Sequence, residues 1–124
     1  MAKYWYLVIG GIAGTLARYA FSGFICRFTR AEFPYGTLGV NLLGCFLIGL
    51  FWTLSEQKLF LGPHTRLLLM TGFCGAFTTF SALIFETSDL FNHGQIVQGV
   101  SYVLASFIMG FLIFRAGIFA GRIF

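Results

Sequence analysis

Residues 72–83 read GFCGAFTTFSAL, gathering two Gly, two Thr and one Ser within an otherwise apolar run. Each glycine in a helix interior costs roughly 1 kcal/mol relative to alanine. Irregular backbone at membrane depth is tolerated only where protein or water covers it. Where it occurs, the freed carbonyl and amide groups are available to ions. The stretch therefore predicts a third membrane helix broken mid-membrane. A second reading stays open, in which the helix is continuous and the Thr and Ser hydroxyls bond back to preceding carbonyls.

Composition sets the surroundings of that break. The chain has 124 residues, of which 58% are hydrophobic, 19% aromatic and only 10% charged. A soluble domain carries about 25% charged residues, and a small soluble core cannot hide seventeen Phe. Spans of about 20 apolar residues are needed to cross a bilayer. Four fit, at residues 4–25, 35–54, 66–91 and 96–119, with Pro34 and Pro63 in the gaps between them. The expected fold is an all-α integral membrane protein, one four-helix transmembrane domain over residues 1–124.

Lys3 followed by an apolar run imitates a signal peptide. Arg18 follows that run without a small-x-small cleavage site, so a retained first span is expected. Cys26, Cys45 and Cys74 are odd in number and lack metal-ligand spacing, which predicts no disulfide framework. Net charge is +4. Lys3, Lys58, Arg66, Arg115 and Arg122 fall on one side of a four-span chain, Arg27 and Arg30 on the other. The bias favours cytoplasmic termini but is weak enough for insertion in both orientations. Basic residues at membrane ends account for the positive charge without nucleic acid.

Polar groups inside the spans are costly, so each is a candidate site. Arg18 is read as an interfacial snorkelling residue or as a structural or electrostatic one. Gly10 and Gly14 before it form a close-packing face. In span two, Thr37, Asn41, Gly44 and Cys45 share a helical stripe, and Asn41 is a packing hydrogen bond or a donor to a solute. In span four, Gln98, Tyr102, Ser106 and Gly110 step by four, and the Tyr and Ser hydroxyls can donate to a small anion. Glu86 and Asp89 are read as interfacial acids at the mouth of span three. No nucleophile–base pair is present, and His64 and His93 lack partner spacing, so no enzyme is expected. A proton-coupled multidrug exporter would need a carboxylate in the first helix, and span one has none.

Three motifs in order, "GGIAGTLARY", "GTLGVNLLG" and "TGFCGAFTTFS", resemble those of the Fluc/CrcB fluoride channels over nearly the whole chain. The resemblance implies a dual-topology antiparallel homodimer in the cell inner (plasma) membrane, exporting cytoplasmic fluoride passively through two narrow pores. It implies a structural sodium ion at the dimer centre, held by the backbone carbonyls of Gly75 and Thr78 from both subunits. Asn41, Phe80, Ser81, Tyr102 and Ser106 would line the fluoride path, and Arg18 would be structural or electrostatic. The chain departs from the family pattern at Ala76, at Ala82 and Leu83, where Thr and Phe are usual, at Tyr102, where Ser is expected, and at Gly110. These departures keep two alternatives open: one half of a heterodimer with a paralogous subunit, or a small-anion channel with an altered pore.

Overall fold

The computed structural model describes residues 1–29 and 32–124, so Arg30 lies outside the described residues. Helix α1 spans Ala2–Phe28 and α2 spans Tyr35–Glu56. The third span is composite: α3 (Pro63–Arg66), a π-helix π1 (Leu67–Cys74), α4 (Gly75–Phe77) and α5 (Phe80–Asn92). Helix α6 closes the chain over Ile96–Ile123. Four stretches of the described residues are long and apolar enough to cross a membrane, as a multi-pass membrane protein requires. They overrun the sequence expectation at their ends; α1 runs from 2 to 28 rather than 4 to 25, and α6 ends at 123 rather than 119. Polar end residues extend helices past the apolar stretch that hydropathy detects.

Local chemistry sets the boundaries. Pro63 opens α3 at its first turn, where its missing N–H has no helical role. Gly94 takes φ +75 between α5 and α6, a left-handed conformation that L side chains resist. There the Gln95 amide closes onto the Leu90 carbonyl at 2.8 Å.

Packing runs through small residues, because lipid supplies no hydrophobic drive between helices. Gly10 and Gly14 are the buried residues of α1. A Cβ on either would overlap a carbonyl oxygen of π1, that of Leu68 or of Phe73. On α6, Gly117 meets the Phe46 carbonyl of α2 in the same manner. Large apolar side chains point outward instead, among them Trp5, Leu16, Phe85 and Phe119. The small buried core joins Leu83, Leu90 and Tyr102 with Phe33 and Leu38.

The glycine contacts generate a paired prediction. Gly14→Ala should destabilise the fold by about 1–3 kcal/mol through overpacking. Gly11→Ala, which meets nothing within 4 Å, should be neutral or stabilising by up to about 1 kcal/mol. Loss of helical circular dichroism on denaturation in detergent reads both, and equal effects would refute the packing account.

Candidate functional site

The third span breaks at Thr78–Thr79, where the backbone turns extended (φ −84, ψ 156 and φ −148, ψ 117). The break is shorter than residues 72–79: Gly72 and Cys74 stay helical within the wider turns of π1. Its backbone groups are reassigned one by one. The Thr79 amide donates to Asn41 Oδ1 at 2.8 Å, and Asn41 Nδ2 donates to the Thr79 carbonyl at 3.1 Å. Thr79 Oγ1 caps α5 by accepting from the Ala82 amide at 3.2 Å. Thr78 Oγ1 bonds back to the Cys74 carbonyl at 2.9 Å, so back-bonding and a true break coexist. Gly44 leaves the room that Thr78 needs, since a Cβ there would overlap Thr78 Cγ2.

The break interrupts the helical pairing of the Gly75, Ala76, Phe77 and Thr78 carbonyls, and for two of them the lost donor has a new partner. The Thr79 amide would have closed a turn onto Gly75, and the Ala82 amide onto Thr78. Both amides are used elsewhere. Gly75 and Thr78 thus carry backbone oxygens freed at the C-terminal end of a half-helix, where the dipole is negative.

Thr78 and Thr79 at the break border a cavity of about 480 Å³ together with Asn41, Phe80, Leu83, Ser106 and Gly110. Three of the sequence-predicted path residues, Asn41, Phe80 and Ser106, therefore meet in one place. Ser106 Oγ is buried and has no hydrogen-bond partner among the described residues. Asn41 retains a second amide hydrogen beyond the one given to Thr79. Phe80 stays 66% exposed at the rim, whereas Leu83 is buried at 4%. Ser81 is exposed and sits 3.3 Å from Thr79 Oγ1 rather than on the cavity wall.

Tyr102 is placed differently. Its ring is fully buried, edge-on to Phe33, and its hydroxyl donates to Glu86 Oε2 at 2.7 Å. Thr37 Oγ1 donates to the other Glu86 oxygen at 2.6 Å. Glu86 thus ties α2, α5 and α6 together, a role the sequence reading missed. The signal was available: a lone carboxylate within a span is a candidate by default, and its position near the helix end hid it.

Arg18 borders a separate cavity of about 800 Å³ with Arg27, Thr37 and Thr79. Thr79 faces both cavities. Phe77 is buried against Phe73, rings stacked 5.5 Å apart, and so turns away from Phe80. Phe85 is 73% exposed on the outer face, as its two-residue offset from Leu83 requires.

The profile of the family described as CrcB-like protein, Camphor Resistance (CrcB) matches residues 5–118. This chain belongs to the CrcB family. It is 43% identical over 123 residues to the "Fluoride-specific ion channel FluC" of Maridesulfovibrio salexigens, covering 99% of this chain and 98% of that relative. The protein of the same name from Desulforapulum autotrophicum is 41% identical over 121 residues, 98% and 97% of the two chains. That from Acidobacterium capsulatum is 41% identical over 120 residues, 97% and 96%. The CrcB match runs through all four spans, including the break and the Asn41 contact.

The double contact at Thr79 is testable without transport. Asn41→Ala leaves an amide and a carbonyl unpaired, each costing about 1–3 kcal/mol, and should lower stability in detergent by that order. Asn41→Asp keeps the acceptor for the Thr79 amide and loses the donor, so its loss should be intermediate. Alanine matching wild type would show that the break holds itself.

Proposed function

We propose that this chain is a fluoride-specific ion channel that passes fluoride out of the cytoplasm down its gradient and so confers fluoride resistance. The observation that carries the reading is the cavity bordered by Asn41, by the α5 N-terminus and by Ser106, whose hydroxyl has no hydrogen-bond partner among the described residues. All are donors or positive dipole ends. Fluoride is small and tightly hydrated, so selective passage needs dense donors in place of water, within walls too narrow for larger halides. The rim phenyl of Phe80 adds a positive ring edge toward an anion. Family membership and relatives named as fluoride-specific channels support the same ion. Passive flow suffices, because hydrogen fluoride enters from more acidic surroundings and dissociates inside.

The proposal includes an antiparallel homodimer in the plasma membrane, with the break of the third span at mid-membrane depth. Outward aromatic side chains leave ample surface for lipid and a second copy. The weak charge bias supports insertion in both orientations. A structural sodium ion fits the freed oxygens: Gly75 and Thr78 offer two neutral backbone carbonyls per chain, and two chains would offer four. Unwound carbonyls and half-helix C-termini are a recurrent sodium donor set in membrane proteins. The ion's charge would offset the negative end of α4 while the carbonyls keep partners they lost to the break. Tyr102 contributes through Glu86, and Arg18 through the positive cavity at one side of Thr79.

Proteoliposomes containing only this chain test the reading. Fluoride efflux should be measurable with a fluoride electrode, with chloride efflux at background. Ser106→Ala removes one donor worth about 1 kcal/mol and should slow fluoride about fivefold. Absent fluoride flux from folded dimers would refute the homodimeric channel.

Sodium is tested separately. Exchange for a bulky organic cation should lower both dimer stability and flux. Indifference to sodium would remove Gly75 and Thr78 as ligands.

A further inference from the structure

Beyond the two cavities at the break, a third of about 350 Å³ opens between α2, π1 and α6 near the C-terminal ends of α2 and α6. Trp52, Gln57, Arg115 and Arg122 border it, with Ile48 and Phe114 separating it from the Ser106 cavity. Arg115 and Arg122 are seven residues apart, two turns on one face of α6. Neither forms an ion pair among the described residues, where the cationic pairs are Arg66 with Glu56 and His93 with Asp89. The negative end of the α6 dipole accounts for Arg122 in the last turn. It does not reach Arg115, eight residues before Ile123. Arg115 is exposed beside the cavity and carries no counter-charge among the described residues, so an anion there would complement it.

We propose that this cavity binds an anionic phospholipid, its headgroup phosphate held between Arg115 and Arg122 and its acyl chains lying along Ile48 and Phe114. The chemistry divides accordingly. The guanidinium forks match phosphate oxygens in bidentate geometry, and basic pockets between membrane helices favour anionic headgroups. Trp52 and Gln57 lie at the same level, the amphipathic composition of a membrane interface. The site is independent of which ion the channel passes.

Trp52 reports on the site directly. The chain has two Trp, so a Trp5→Phe background leaves Trp52 as the sole emitter in the full-length protein. Vesicles of phosphatidylcholine and phosphatidylglycerol in equal amounts carry brominated acyl chains on one lipid or the other. Trp52 should be quenched more strongly when phosphatidylglycerol carries the bromine. That preference should fall about fivefold for each of Arg115→Gln and Arg122→Gln, since one basic residue near an anionic surface is worth about 1 kcal/mol. Arg115→Lys with Arg122→Lys keeps both charges and loses the forks, so it should retain an intermediate preference, and unchanged helical circular dichroism of the glutamine variants shows that their loss is not misfolding. Equal quenching by the two lipids, including poor quenching by both because a second copy covers Trp52, would overturn the proposal. So would a preference unchanged in the double glutamine variant. Inorganic phosphate that erases the preference, at ionic strength matched with sodium chloride, would assign the arginines to a soluble anion instead.

Discussion

One side chain holds the third span open: Asn41 accepts from the Thr79 amide and donates to the Thr79 carbonyl. In water such a pair contributes modestly, because solvent would satisfy the same groups. In hydrocarbon the alternative is an unsatisfied peptide, costing several kcal/mol per group. The clamp therefore converts a forbidden backbone into a permitted one, and the consequences follow from its geometry. It diverts one amide from Gly75, and Thr79 Oγ1 diverts another from Thr78. It also starts α5 afresh, aiming a helix N-terminus at the cavity where Ser106 waits.

The clamp works only if α2 comes close enough for a short side chain to reach the break. Gly44, one turn along α2 from Asn41, admits Thr78 into contact with the helix backbone. On the far side, Gly10 and Gly14 let α1 touch the carbonyls of π1. The third span is thus pressed between two helices through glycine faces, and the widened turns of π1 fall at the α1 contact. Small residues and the single amide are parts of one arrangement: close approach supplies position, and hydrogen bonding supplies the energy that hydrophobic burial cannot give in lipid.

Much of this was legible in the sequence, for identifiable reasons. Four spans followed from apolar length, and the break from a cluster of residues that a helix disfavours. Asn41 and Ser106 stood out because polarity is expensive among Leu and Phe. Periodicity misled where it treated a stripe as uniform. Tyr102 and Ser106 lie one turn apart on α6, yet Tyr102 has its hydroxyl committed to Glu86 while Ser106 has none. Spacing fixes a face and is silent on which partner waits across it. Glu86 reads from the sequence as an interfacial acid because its two donors, Thr37 and Tyr102, come from spans distant in sequence. Ser81 is adjacent to Phe80 and still points elsewhere, since neighbours in a helix diverge by about 100°.

The polar groups within the spans divide into satisfied and unsatisfied ones. Thr37, Glu86 and Tyr102 close on one another and fix the angle between α2, α5 and α6. The part-buried contacts of this network commit the Thr37 and Tyr102 hydroxyls to Glu86. Ser106 and the second hydrogen of Asn41 remain open toward one cavity, and a buried donor without a partner is costly unless something arrives to accept. Leu83 belongs to both regions, packed against Tyr102 on one side and bordering the cavity on the other. Leu83 presents no ring edge to that cavity, whereas the Phe80 ring stays exposed beside it. The hydroxyl and amide donors at that cavity are held in place by the Glu86 contacts and the Asn41 clamp.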